Sequence, residues 1–278
     1  MSRRFHDYLC LSQKGMDFNM EKYGMNIKMI VTDLDGTLLH EDKSISEYTI
    51  KILKQCRAKN IKIVYATGRG NISKAAVPSE FFDGFVRVNG AIAYIGDMIV
   101  YEKRIPIENV RDLLIAADNT GIKIVAECSD VHYANFNVTE KFKWVTHYEK
   151  ADFNKLDIDA EKLYAPAEDP QVINFIKKYI TDGLYLSVSN TNVAMVMHKE
   201  AVKSRAVAAL AERWGITQNE IVAFGDDAND EDLLQYCGIG VAVYNAIDEI
   251  KISADYICDT NDNDGIAKWL EENVLLEK

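Results

Sequence analysis

A chain of 278 residues can bury one sizeable core, or one core and a smaller second lobe. Its apolar share of 48% and charged share of 27% are those of a globular protein and argue against disorder. With 32 Lys and Arg against 43 Asp and Glu, the net charge of −11 argues against a nucleic-acid partner but leaves room for one small phosphorylated ligand.

Residues 1–25 read as an extension ahead of the fold, with Met16, Met20 and Met25 as alternative starts. Ser2-Arg3-Arg4-Phe5 looks like a twin-arginine signal. His6, Asp7, Gln13, Lys14 and Asp17 interrupt the apolar stretch that export requires, so export is rejected. Residues 27–32 are a short apolar, β-branched run ending at Asp33, the pattern of a buried parallel strand. Ile45, Tyr48, Ile52, Leu53 and Cys56 then repeat at helical spacing, with Ser44 as the expected cap. A second strand, Ile61 to Ala66, leads into Thr67-Gly68-Arg69. Strand, helix and strand in this order make a right-handed crossover unit.

The middle of the chain has another texture. Val110, Leu113, Leu114 and Ala117 share one helical face within 107–120, and Gly121 is placed to stop that helix. Ile122–Glu127 and Val131–Asn137 read as a hairpin turning at Cys128-Ser129-Asp130. Asp169-Pro170 opens another helix, and Leu184–Ser189 with Val193–His198 make a second hairpin around Asn190-Thr191-Asn192. The α/β pattern then returns: a helix over 202–214, a strand Ile221–Phe224 ending at Gly225-Asp226, and a helix over 228–236. Strands Ile239–Val243 and Asp255–Cys258 and a helix Gly265–Leu276 close the chain. The expectation is an α/β fold. Residues 26–107 and 199–278 build a doubly wound, mostly parallel sheet core, and 108–198 form an inserted, smaller α+β unit.

Cys10, Cys56, Cys128, Cys237 and Cys258 are scattered, with no C-x-x-C pair, which suits reduced thiols in a cytoplasmic protein. No stretch approaches 18 continuous apolar residues, so no membrane span is expected.

Four stretches fall at strand ends or helix starts, where open α/β sheets place ligands. In Asp33-Leu34-Asp35-Gly36-Thr37, two carboxylates can face one cavity if the chain turns at Gly36. One can bind metal and attack phosphorus while the other donates a proton; an acidic turn is the plain alternative. Thr67-Gly68 offers a hydroxyl and a backbone N–H to phosphate oxygens, or is simply a helix cap. Lys203 can neutralise charge at a helix start, although most lysines are solvated surface groups. Gly225-Asp226-Asp227-Ala228-Asn229-Asp230 suits Mg²⁺, a hard cation that takes oxygen ligands.

Together and in this order, the four stretches resemble the haloacid dehalogenase superfamily, and within it the Cof-type phosphatases. Val88-Asn89-Gly90-Ala91, Val241-Ala242, Asn245-Ala246, Ala254-Asp255 and Asp264-Gly265 add to the likeness, which runs from about residue 26 to the C-terminus. The resemblance implies a Rossmann-like core carrying an α+β cap. It implies Asp33 as nucleophile and Asp35 as general acid and then base. It implies Mg²⁺ held by the Asp33 carboxylate, the Asp35 main-chain carbonyl and Asp226. Thr67, Gly68, Lys203 and Asn229 would bind the phosphoryl group, with Asp230 supporting the metal and the lysine. One departure is Ser204, where the family usually has glycine after the lysine.

Arg69 can touch an anionic substrate tail. Glu127, Tyr133 and Asn135 lie on strands of the inserted unit that can face the site, with ordinary sheet surface as the alternative. His132, His147 and His198 lack metal-ligand spacing, Met195 and Met197 read as packing, and Glu271-Glu272 as a solvated helix face. The expected function is Mg²⁺-dependent hydrolysis of a small phosphorylated metabolite. A sugar phosphate is the first choice, with pyridoxal phosphate and flavin precursors open. A phosphotransferase or phosphomutase would form an isomer and little free phosphate. A silent binding protein would lack Asp33, Asp35 or Asp226, and all three are present. Oligomeric state is not legible.

Overall fold

A computed structural model of the chain describes residues 26–70, 77, 81–189 and 191–276. The expected extension at 1–25 and Asn190 of the second hairpin turn lie outside the described residues. The first five strands are β1 (Met29–Thr32), β2 (Lys62–Ala66), β3 (Gly84–Arg87), β4 (Ile92–Ile95) and β5 (Met98–Glu102). The middle segment supplies β6 (Val125–Cys128), β7 (Val131–Ala134), β8 (Tyr148–Lys150), β9 (Lys162–Pro166), β10 (Leu184–Val188) and β11 (Val193–His198). The last three are β12 (Ile221–Gly225), β13 (Ile239–Ala242) and β14 (Tyr256–Ile257). The α-helices are α1 (Glu47–Ala58), α2 (Arg111–Thr120), α3 (Val138–Lys141), α4 (Pro170–Lys177), α5 (Lys203–Trp214), α6 (Glu231–Tyr236), α7 (Asp248–Ser253) and α8 (Gly265–Leu270).

The first sheet has the order β14-β13-β12-β1-β2-β3-β4-β5. Its strands are parallel from β14 to β3, and β4 and β5 run antiparallel at one edge. This is the expected doubly wound core. Strand β1 lies at its centre, paired with β12 on one side and β2 on the other. Burial explains why so short a run forms a strand: Met29, Ile30, Val31 and Thr32 are all inaccessible to solvent. Each such apolar side chain contributes roughly 1.5–3 kcal/mol by leaving water. The carboxyl ends of β12, β1 and β2 are therefore side by side, and the residues that follow them share one rim.

The cap is a second sheet, ordered β10-β11-β9-β6-β7-β8. One face packs on α2 and α4 through Leu113, Leu114, Ala117 and Ile176. The other carries Val125, Ala134 and Tyr164 against Val138, Phe142 and Val145. The helix–hairpin, helix–hairpin reading of this unit missed β8 and β9. Strand β9 is central, between β11 and β6. The β3–β5 meander of the core also went unread.

Local signals fared unevenly. Gly121 ends α2 in the left-handed conformation at φ +73°, and Asp169 caps α4 by accepting from the Gln171 N–H, with Pro170 next. The β6–β7 turn is tighter than expected. Cys128 belongs to the strand, and only Ser129 and Asp130 turn, at φ +50° and +70°, the positive values a two-residue hairpin loop needs. The closing helix is regular only to Leu270, with a π-helical turn over Glu271–Leu275 beyond.

The cap of α1 is Ser46 and not Ser44: the Ser46 hydroxyl accepts from the Thr49 N–H at 2.9 Å, while the Ser44 N–H donates to Asp42. Asp264 fixes this choice from across the chain. Its Oδ1 accepts from Ser46 Oγ at 2.5 Å, Thr49 Oγ1 at 2.8 Å and His40 Nε2 at 3.1 Å. Burial raises the Asp264 pKa, but these hydrogen bonds outweigh it and leave it below the ordinary carboxyl range. The bonds to the ionised form contribute stability above the unfolded pKa near 4, lost as pH falls through the lower folded value. Asp264→Ala should lower stability by about 2 kcal/mol at neutral pH, with the difference shrinking at acid pH; equal urea midpoints for both proteins at neutral pH would contradict this.

Candidate active site

Lys203 opens α5 and is completely buried, an expensive position for an ammonium. Two carboxylates balance it. Lys203 Nζ donates to Asp33 Oδ1 at 2.7 Å and to Asp230 Oδ1 at 2.6 Å. Burial works against the Lys203 charge, but Asp230 and Asp33 outweigh it and hold its pKa above the usual lysine value. Asp230 is itself saturated, since its Oδ2 accepts the Asp226 and Asp227 N–H groups at 3.1 and 3.3 Å. Ser204, the departure from the family pattern, fits this helix start: its N–H donates to Asp232 Oδ2 at 2.9 Å.

Asp33 follows β1 directly, and its N–H donates to the Phe224 carbonyl of β12 at 3.0 Å. Burial pushes its pKa well up, Lys203 pulls it down, and the nearby Asp230 and Asp226 push it up again. Asp226, just past β12, is likewise raised, to about 7, mainly by burial and against the hydrogen bond from Thr37. That bond runs from Thr37 Oγ1 to Asp226 Oδ1 at 2.5 Å. The turn joining these groups requires Gly36: at φ +80° a Cβ there would lie 2.5 Å from Asp226 Oδ2. Oxygens of Asp33, Asp226 and Asp230 all lie within 4.8 Å of one another, an all-oxygen donor set that fits a hard divalent cation. Asp230 is engaged on both oxygens, which leaves Asp33 and Asp226 as the available carboxylate ligands.

Asp35 stands apart from this cluster. Its carboxylate accepts both Arg69 Nε and Nη2 at 2.5 Å and pairs with Lys43 Nζ at 2.9 Å. Burial raises its pKa, but Arg69 and Lys43 together bring it below the ordinary value. Arg69, expected to reach toward a substrate tail, is thus engaged by Asp35.

Thr67 and Gly68 follow β2. The Thr67 hydroxyl accepts the Arg69 N–H at 3.2 Å, which leaves its own proton free to donate. The Val88-Asn89-Gly90 turn is pinned to this loop: the Val88 N–H donates to the Arg69 carbonyl and the Asn89 N–H to the Thr67 carbonyl, both at 3.0 Å. Val88, Asn89 and Gly90 all have positive φ, and a Cβ on Gly90 would collide with the Val202 backbone. This close approach sets the start of α5, and so Lys203, against the loop. Asn229 also joins in, donating from Nδ2 to Asn89 Oδ1 at 2.9 Å.

In the cap, Glu127 pairs in register with His132 of β7 and Lys162 of β9, so the three share a sheet face. That face looks at the core, since Lys162 Nζ donates to the Gly68 carbonyl at 3.2 Å and Glu127 Oε1 abuts Gly70. Tyr133 and Asn135 correct the expectation. Tyr133 pairs with Ala126 on the opposite face and packs toward α2 and α4. Asn135 bonds the Ile124 N–H and the Ile122 carbonyl, which ends the β6–β7 pairing. Asn89, Thr37, Lys43 and Lys162 escaped sequence reasoning as site residues. Two of them lay inside stretches already singled out, Thr37 in Asp33-Leu34-Asp35-Gly36-Thr37 and Asn89 in Val88-Asn89-Gly90-Ala91.

Known proteins resemble the chain over most of its length. The profile of haloacid dehalogenase-like hydrolases matches residues 30–270. Two Bacillus subtilis relatives are named 5-amino-6-(5-phospho-D-ribitylamino)uracil phosphatases. YcsE is 27% identical over 92% of this chain and 100% of its own, and YitU 28% identical over 88% and 96%. A Bacteroides thetaiotaomicron phosphatase of the same superfamily superposes with a TM-score of 0.76 at 26% identity, covering 88% of this chain and 94% of its own. The chain belongs to the haloacid dehalogenase-like hydrolases, as a capped phosphoric monoester hydrolase of the Cof type.

Proposed function

We propose that the protein hydrolyses a small phosphorylated metabolite through an aspartyl-phosphate on Asp33, with Mg²⁺ as cofactor. The observation that carries this reading is the buried Lys203 ammonium clamped between Asp33 and Asp230. Lys203 fixes one Asp33 oxygen and leaves the other to attack phosphorus as the bond to the leaving oxygen breaks. Asp35 takes up a proton from solvent as the phosphate dianion draws Arg69 and Lys43 away, and gives it to that leaving oxygen. It then takes a proton from the water that attacks the aspartyl-phosphate, returning Asp33 and free phosphate. Arg69 and Lys43 keep Asp35 ionised, and a phosphate dianion that draws them away raises its proton affinity. The Thr67 hydroxyl, the Gly68 N–H, Asn229 and the third Lys203 proton hold the phosphoryl oxygens. The Asp33 and Asp226 carboxylates and the Asp35 main-chain carbonyl would hold Mg²⁺, which supplies charge neutralisation at the phosphoryl group.

The names of the two Bacillus subtilis relatives favour a substrate with a phosphorylated ribityl chain, and sugar phosphates share its polyol chemistry. A cytoplasmic setting is consistent with the free, buried thiols of Cys56, Cys128, Cys237 and Cys258. Among the described residues no helix is long and apolar enough to cross a membrane.

With p-nitrophenyl phosphate or a panel of metabolite phosphates, Asp33→Asn should abolish Mg²⁺-dependent turnover while leaving the fold intact. Asp35→Ala should lower kcat about 10²- to 10⁴-fold. Retained turnover in Asp33→Asn would sink the mechanism. Cation binding should also depend on pH, because the Asp226 carboxyl, raised to about 7, carries a proton that Mg²⁺ must displace. Calorimetric titration should give a Kd that falls by up to about tenfold per pH unit between pH 6 and 7 and levels off above, with proton release. Equal affinities at pH 6 and 8 would contradict it.

A further inference from the structure

Lys162, at the start of β9 in the cap, sits in a place where a lysine gains little. It is 6% exposed, with its ammonium 5.9 Å from the Trp144 ring centre and 5.8 Å from that of Tyr164. Its charge partner is Glu127, itself buried, with Oε2 at 3.2 Å. A buried ion pair contributes little net stability compared with an apolar replacement of the same volume. Its distinguishing contact lies outside the cap, where Lys162 Nζ donates to the Gly68 carbonyl at 3.2 Å.

The peptide that carries this carbonyl has its N–H on Arg69, and that N–H donates to Thr67 Oγ1 at 3.2 Å. One rigid plane therefore joins two hydrogen bonds, with the cap ammonium at its oxygen and the Thr67 hydroxyl at its nitrogen. A cation on the carbonyl polarises the peptide and strengthens the N–H as a donor. With one lone pair occupied, the Thr67 hydroxyl is held in place with its own proton free to donate.

We propose that Lys162 is a positioning residue: through the Gly68–Arg69 peptide it orients the Thr67 hydroxyl as a donor to the phosphoryl group, so that the seated cap completes the phosphate site. This rests on the reading of Thr67 as a phosphoryl ligand. Glu127 has a supporting part, since its carboxylate keeps the Lys162 charge in place and its Oε1 occupies the space a side chain on Gly70 would need.

The test is a double-mutant cycle read by the inhibition constant of inorganic phosphate against p-nitrophenyl phosphate turnover. Thr67→Val removes the hydroxyl, and Lys162→Met/Glu127→Gln removes the ammonium without stranding a buried charge. Each should weaken phosphate about tenfold, the equivalent of one charge-assisted hydrogen bond. The combined variant should be no weaker than Thr67→Val, because both changes remove the same interaction. Should the paired variant fail to fold, Lys162→Leu/Glu127→Leu replaces the pair with apolar packing and is read in the same way. If Thr67→Val weakens phosphate but the Lys162 change has no effect, or adds in full to it, the positioning role is wrong and the phosphate site stands. If Thr67→Val has no effect, the reading of Thr67 falls and this inference with it.

Discussion

A lysine ammonium with no exposure to solvent governs how this molecule is built. Lys203 is tolerated only because Asp33 and Asp230 both lie within 2.7 Å, and neither carboxylate tolerates its own burial without the lysine. The three groups come from the end of β1, the start of α5 and the turn after β12, so the charge balance ties together segments 170 and 27 residues apart. Removing Lys203 strands both carboxylates, whereas removing either carboxylate leaves the ammonium one partner. The backbone serves the same arrangement: the left-handed turn at Val88-Asn89-Gly90 allows Val202 to approach, which is where Lys203 begins.

Around this triad the charges are unequal by design of the fold. Asp33 and Asp226 are pushed toward neutrality by burial and by neighbouring carboxylates, Asp230 among them, while Asp35 is held ionised by Arg69 and Lys43. In the proposed mechanism a cation would relieve the first pair, and an anion arriving at Arg69 would draw it from Asp35 and raise that carboxyl's proton affinity. The fold thus holds raised and lowered carboxyls side by side, an electrostatic setting that suits phosphoryl transfer.

Much of this could be read from the chain, for physical reasons. Asp33, Thr67 and Asp226 follow short apolar runs, and a parallel strand buried on both faces leaves few other places for its terminal polar residue. Lys203 was legible only through the family likeness, because nothing local distinguishes it from a solvated lysine. What escaped depends on tertiary placement. Lys162 sits in Glu161-Lys162-Leu163-Tyr164, a stretch too short and mixed to assign until β9 is seen between β11 and β6. The face of Tyr133 followed from the β6–β7 register, and a two-residue turn where three had been expected gave no warning of it. Ser44 is the cap that the sequence suggests, and Ser46 takes its place because Asp264 holds it from across the chain.

The central claim is that the carboxylate oriented by Lys203 becomes covalently phosphorylated. Rapid mixing of the Mg²⁺-loaded protein with an excess of a turned-over phosphomonoester, acid quenching within the first turnover and peptide mapping by mass spectrometry test it directly. The account predicts a phosphoryl group on the peptide containing Asp33, sensitive to hydroxylamine as an acyl phosphate is. Release of phosphate in that turnover with no labelled peptide, or with the label on another residue, would contradict it.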